Sequence, residues 1–211
     1  MTIQKPFPAL KWNGPLSPLD LSRVDAIALH HMAHPTASIH DVHGWHLAQD
    51  WVGIGYNYFV GLDGIVYEGR GLHRGAGVKD QNHHIISVGF QGDFQTKQVG
   101  MNDAQFAAGV AVIRWLRETI PGIKTVGGHK DFGATACPGR YFPLERMIEE
   151  ANRVEQEKRY QSVADLPDWA KETVQKLIGR GALQGDGKGL NLSVDMVRMM
   201  VINDRMGVYG E

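Results

Sequence analysis

Short apolar runs and longer stripes of helical period take turns along this chain, and together they predict most of its elements. Val24 to Leu29 is apolar throughout and predicts a buried strand that delivers His30 and His31 at its C-terminal end. Tyr56 to Val60 and Ile65 to Tyr67 predict two more strands. Leu62-Asp63-Gly64 between them predicts a hairpin turn, with Asp-Gly supplying the positive φ angles. Ile85 to Phe90 predicts another strand, closed by Gly92-Asp93. Helical spacing begins after Ser38, which can cap a helix through Asp50 with Ile39, Val42, Trp45 and His46 near one stripe. It returns after Asn102, where Gln105 three residues later has the spacing of a capping box. Phe106, Val110, Ile113 and Arg117 mark that stripe, and Pro121-Gly122 stops it. Val126 then leads into His129, and Leu144, Met147, Ile148 and Ala151 predict a further amphipathic helix. Residues 1–20 hold four prolines and read as an irregular lead-in.

Around Glu149 to Gln161 the pattern changes. Charged and polar residues dominate and apolar anchors thin out, so residues 1–151 form one domain and 152–163 a partly helical linker. In 164–211 a small helical unit follows. Asp168 is placed to cap a helix whose Ala170, Val174, Leu177 and Ile178 face inward. Gly179-Arg180-Gly181 ends it, Gly185 to Gly189 makes a tight loop, and Val194 to Asn203 predicts a second helix. So small a unit is marginal alone, and docking, self-association or a bound surface would support it.

The 43% hydrophobic and 21% charged content is ordinary for a globular protein. A net charge of −1 excludes a broad nucleic-acid footprint. No run approaches a membrane span, and the N-terminal residues lack the apolar core of a signal peptide. The expectation is synthesis in the cytoplasm.

One cysteine changes the picture. Cys137 follows His129 by eight positions in the run from Gly128 to Gly139, and the His30-His31 pair lies about 100 residues upstream. Two imidazoles and a thiolate suit zinc, and three protein ligands rather than four leave an open, catalytic position. Adjacent strand residues point to opposite faces, so only one of His30 and His31 can be a ligand. Spacing alone equally admits a Cys-His nucleophile pair.

These blocks carry a family resemblance. Ala28 to Ala33, Trp45-His46 with Trp51, Gly55 to Val60 with Asp63-Gly64, Ile86 to Phe94, and Gly128 to Gly139 stand in order over residues 24–143. Together they resemble the zinc amidases that include phage lysozyme-type amidases and peptidoglycan recognition proteins. The resemblance implies an α/β fold with a central mixed β-sheet flanked by helices, the type 2 amidase fold. It implies zinc held by His30, His129 and Cys137, with the first histidine of the pair as the ligand. Tyr56 falls where the family places a tyrosine beside the metal, and Thr135 where members carry lysine or threonine; both are implied as catalytic. The implied activity is that of an N-acetylmuramoyl-L-alanine amidase, acting on bacterial peptidoglycan as a phage or prophage endolysin once released to the wall. A non-catalytic peptidoglycan-binding module and a cytoplasmic muropeptide-recycling amidase are the alternatives. One departure stands out: many relatives carry a histidine where this chain has Gly77, with His73 and His83 nearby. His34, His40, His43 and His84 are expected at the surface or behind the site rather than on the metal. Asp165 to Ala170 and Leu177 to Gly187 resemble an S-layer-homology repeat, which implies binding of cell-wall polymer, or self-association, through 164–211.

Overall fold

The structure, a computed structural model, describes residues 2–96, 100–153 and 159–210. Six strands, β1 (Ile3–Gln4), β2 (Ala26–His31), β3 (Tyr58–Val60), β4 (Val66–Glu68), β5 (Ile85–Phe90) and β6 (Thr125–Gly128), form one sheet in the order β1-β4-β3-β5-β2-β6. Only β3 and β4 run antiparallel, so the sheet is mixed. Three helices accompany it: α1 (Ile39–Leu47), α2 (Asp103–Thr119) and α3 (Leu144–Asn152). The fold is a central mixed β-sheet flanked by helices, of the α/β class. Every residue of β2 and β5 is buried, as happens to strands covered on both faces.

Alternation along β2 sorts its side chains. Ile27 and Leu29 join the main core with Ile86, Val88 and Phe90 of β5 and with Val112, Ile113, Leu116 and Met147 of the helices. Ala26 and Ala28 face the other way, into a small cluster with Val78 and Ile85. His30 therefore continues the Ala26–Ala28 face, and His31 the core face.

Several local expectations are corrected. The lead-in is not wholly irregular, because β1 pairs in parallel with β4. Helix α1 stops at Leu47 rather than Asp50: Gln49 and Asp50 donate to His46 and Leu47 carbonyls in tightened turns, and Asp50 has φ 59°. His43 rather than Trp45 is buried on its inner face, and Trp45 is exposed. The β3–β4 connection spans 61–65, and only Gly64 takes a positive φ, because Val60 pairs with Val66. Asn102 does cap α2 by accepting from Gln105 N–H, but the Gln105 amide donates to the Val60 and Gln91 carbonyls instead of reaching back.

The chain divides into two compact units, Met1–Arg153 and Val154–Glu211. The linker expected at 152–163 falls partly on 154–158, outside the described residues. The smaller unit holds α4 (Asp168–Gly179) and α5 (Val194–Arg205), and it is not purely helical. Strands β7 (Arg159–Tyr160) and β8 (Leu192–Ser193) pair antiparallel. Its core gathers Tyr160, Leu166, Ala170, Val174, Leu192, Val197 and Val201. Asp168 is the first helical residue rather than the cap, and its carboxylate takes Lys171 at 2.7 Å. Ile178 is 37% exposed rather than inward, since the helix ends a residue later. Among the described residues no helix is long and apolar enough to cross a membrane.

Candidate metal centre

Strand register builds the site. Leu29 of β2 pairs with Gly128 of β6, so the next residues, His30 still in β2 and His129 just past the end of β6, come side by side. Their ring centroids are 4.5 Å apart. The third donor arrives on a loop that folds back onto β6. A side chain at Gly128 would meet Pro138 Cδ at 2.5 Å, so glycine is what lets this loop approach. Lys130 N–H donates to the Cys137 carbonyl at 2.8 Å, and Cys137 N–H donates to Thr135 Oγ1 at 3.2 Å. One donor atom each from His30, His129 and Cys137 then lies within 4.8 Å of the others. Cys137 Sγ and His30 Nδ1 are 3.8 Å apart.

His31 stands apart from these donors and holds the site from behind. Its backbone N–H donates to Cys137 Sγ at 3.5 Å, and its Nδ1 accepts from Phe94 N–H at 3.1 Å. The sequence offered no sign of that backbone contact; only the choice between the two histidines was open to it.

Burial sets the protonation of the donors. It pushes the His30 imidazole well below its usual pKa, with the charges of His129 and His31 adding to the effect. It also lowers His129. Both rings therefore keep a lone pair at neutral pH. Burial pushes the Cys137 thiol up to about 11, against a small lowering by the His31 N–H. An adjacent cation reverses that penalty, because it stabilises the thiolate directly. Two neutral imidazoles and one thiol, with no fourth donor in the cluster among the described residues, fit an open zinc site.

Tyr56 lies beside the cluster, its ring 4.9 Å from that of His30. Burial, then the nearby Cys137 charge, raises its phenol well above the ordinary value, so it stays protonated. His46 edges Tyr56 at 5.8 Å and stacks on Trp51 at 4.6 Å. Burial, then the Arg70 and His43 charges, brings His46 down to about 4. This aromatic wall is the second feature not read from the sequence, where the Trp45-His46 and Trp51 pattern was its only signal. Thr135 is exposed and one lone pair is engaged by Cys137, which leaves its hydroxyl proton to donate outward. His73 turns its Nδ1 to the Arg70 carbonyl at 3.0 Å, and His83 packs on His84; neither stands with the three donors. His43 is buried between the Lys11 carbonyl and the Ile54 N–H, and His84 meets Asp25 at 2.7 Å.

A mixed α/β sheet that gathers two imidazoles and a thiol at the C-terminal ends of parallel strands defines a protein built around a three-donor centre. Residues 20–140 match the N-acetylmuramoyl-L-alanine amidase family (Amidase_2), and the chain belongs to that family. It is 32% identical over 103 residues to peptidoglycan-recognition protein SC2 of Drosophila melanogaster, covering 48% of this chain and 56% of that one. The chain spans about half the length of the curated relatives it matches. Among solved structures, it resembles a complex of tracheal cytotoxin with the ectodomains of peptidoglycan recognition proteins LCa and LCx. The TM-score is 0.62 at 27% identity, over 71% of this chain and 95% of that one. The endolysin N-acetylmuramoyl-L-alanine amidase LysCS from Clostridium intestinale shares the fold, with TM-score 0.65 at 24% identity over 72% of this chain and 97% of that one.

Proposed function

We propose that the chain is a zinc-dependent peptidoglycan hydrolase of the endolysin type. It cuts the amide between the lactyl group of N-acetylmuramic acid and the L-alanine of the stem peptide. The observation that carries this reading is the convergence of His30, His129 and Cys137 within 4.8 Å, in a chain of the amidase family. His30, His129 and Cys137 would hold the ion. When bound, zinc supplies Lewis acidity and a source of hydroxide near neutral pH.

The chain's own residues do the rest. Tyr56 keeps its proton beside the cluster and in this reading donates a hydrogen bond to the amide oxygen as negative charge develops there. Thr135 offers a second, weaker donor from the exposed lip of the loop. The His31 N–H orients the Cys137 sulfur.

A thiol-hydrolase reading is disfavoured on the same geometry. A nucleophilic cysteine needs a lowered pKa, and Cys137 is raised to about 11. The smaller unit we assign to wall-polymer binding or self-association, a reading supported by its exposed Trp169 and α5 side chains.

Digestion of purified peptidoglycan, with products resolved by mass, tests the activity. Release of intact stem peptides beginning at L-alanine, abolished by a chelator and restored by zinc, is the expected result. Tight wall binding with full zinc and no release would move the protein to the recognition class.

A further inference from the structure

Three buried side-chain polar atoms among the described residues lack a hydrogen-bond partner: His30 Nε2, Ser87 Oγ and Gln105 Oε1. Two of the three lie close to one point, with no hydrogen bond between them. A Cβ built on Gly77 would stand 2.5 Å from Ser87 Oγ and 3.2 Å from His30 Nε2. Register explains the closeness. Ser87 on β5 pairs with Ala28, one same-face step before His30, so the two side chains share one face of the sheet. Both residues are almost wholly buried, at 0% and 1% exposure.

The His30 atom that faces Cys137 is Nδ1. A neutral imidazole that gives Nδ1 to a cation carries its proton on Nε2, and that N–H needs an acceptor when it is buried. We propose that Ser87 is the positioning residue of His30: no hydrogen bond joins the two side chains in this structure, and with the ion bound the Ser87 hydroxyl turns to accept the Nε2–H hydrogen bond and fixes Nδ1 toward the metal. Gly77 serves the pair by bringing bare backbone against it, closing it from water without entering the space between the two side chains. That explains why this position holds glycine here, since any side chain would strike Ser87 or His30. The inference rests on the reading of the three donors as a zinc site.

The test uses the full chain and its Ser87→Ala and Ser87→Thr variants. Zinc affinity is measured by competition with a chromophoric chelator, and unfolding temperature is measured on the metal-free forms. Ser87→Ala is expected to weaken zinc binding by about 10- to 100-fold, the usual loss for an outer partner of a metal ligand. Its metal-free unfolding temperature should stay near that of the parent. Ser87→Thr, which keeps the hydroxyl, should restore most of the affinity. The proposal is overturned if Ser87→Ala binds zinc as tightly as the parent. It is also overturned if both variants lose affinity together with metal-free stability, which marks a packing effect. A parent that binds no zinc would instead remove the zinc-site reading itself.

Discussion

The two units bury themselves differently. Met1–Arg153 encloses large side chains almost completely: Phe59, Phe90, Phe94, Leu29, Ile113, Leu116 and Met147 are all under 2% exposed. The smaller unit closes around Ala170, Val174, Leu192 and Val197, and leaves Met196, Met199, Ile202 and Met206 between 44% and 74% exposed. Small units bury a smaller fraction of their surface, and the difference bears on function. Three donors stay at the right spacing only when a dense core holds still the strands that carry or precede them, and β2 and β6 have that support. A recognition or association element can tolerate an open apolar stripe.

The largest expected effect lies in the dense unit. Cys137→Ser should lower amide hydrolysis by about three orders of magnitude, the scale on which removing a principal catalytic group acts. Zinc content should fall with it, measured on dialysed protein, while the smaller unit's unfolding is untouched. Next come core truncations. Leu116→Ala, at a fully buried site, should cost about 3 kcal/mol by the cavity it leaves. Leu192→Ala should cost a similar amount but from a thinner reserve, and calorimetry should show the smaller unit melting first. A single transition shifted alike by both variants would break the comparison.

Tyr56→Phe removes one hydrogen-bond donor and keeps the packed ring. Turnover should fall by about 100-fold with zinc content unchanged. A parallel loss of zinc would make Tyr56 a structural residue.

Much of this was legible in the sequence because the signals were local. The β2 run, the β5 run and the loop from Gly128 to Gly139 each carry their own punctuation, and the first and last of them deliver the three donors. What was hidden depends on register and on side-chain direction. No local pattern says that Leu29 pairs with Gly128, that Ser87 and His30 share one face of the sheet, or that His31 serves Cys137 through its backbone. The pairing of β1 and of β7 with β8 was missed because two-residue strands have no periodicity to read. Asp168 and Gln105 show a further limit: each has the composition of a cap, but Lys171 takes one and two buried carbonyls take the other.

In the smaller unit, Asp204 supplies a pH-dependent tie. Hydrogen bonds from Lys176 and then Thr173 hold its carboxyl below the ordinary 3.8. A carboxylate lowered in the folded state stabilises the fold above its unfolded pKa, and that contribution disappears as pH falls through the folded value. Asp204→Asn should therefore lower the smaller unit's unfolding temperature at neutral pH. The gap from the parent should close well below pH 3.8. A gap that persists in acid would mean that Asp204 acts through packing rather than charge.

The smallest effect is expected on the α5 stripe, and it is the sharpest test of the contrast between the units. Met199 is 58% exposed, so Met199→Gln removes little buried area. It should change unfolding stability by no more than about 0.5 kcal/mol, as ordinary surface substitutions do. Val197, two residues earlier, is fully buried, and Val197→Ala should cost about 2 kcal/mol from lost apolar burial. Wall sedimentation then separates stability from recognition. If the stripe is a contact surface, Met199→Gln weakens retention on purified walls, or self-association in solution, while its melting curve overlays the parent. If Met199→Gln is as destabilising as Val197→Ala, the stripe is core covered by another part of the protein, and the two units are less different in their packing than their exposures imply.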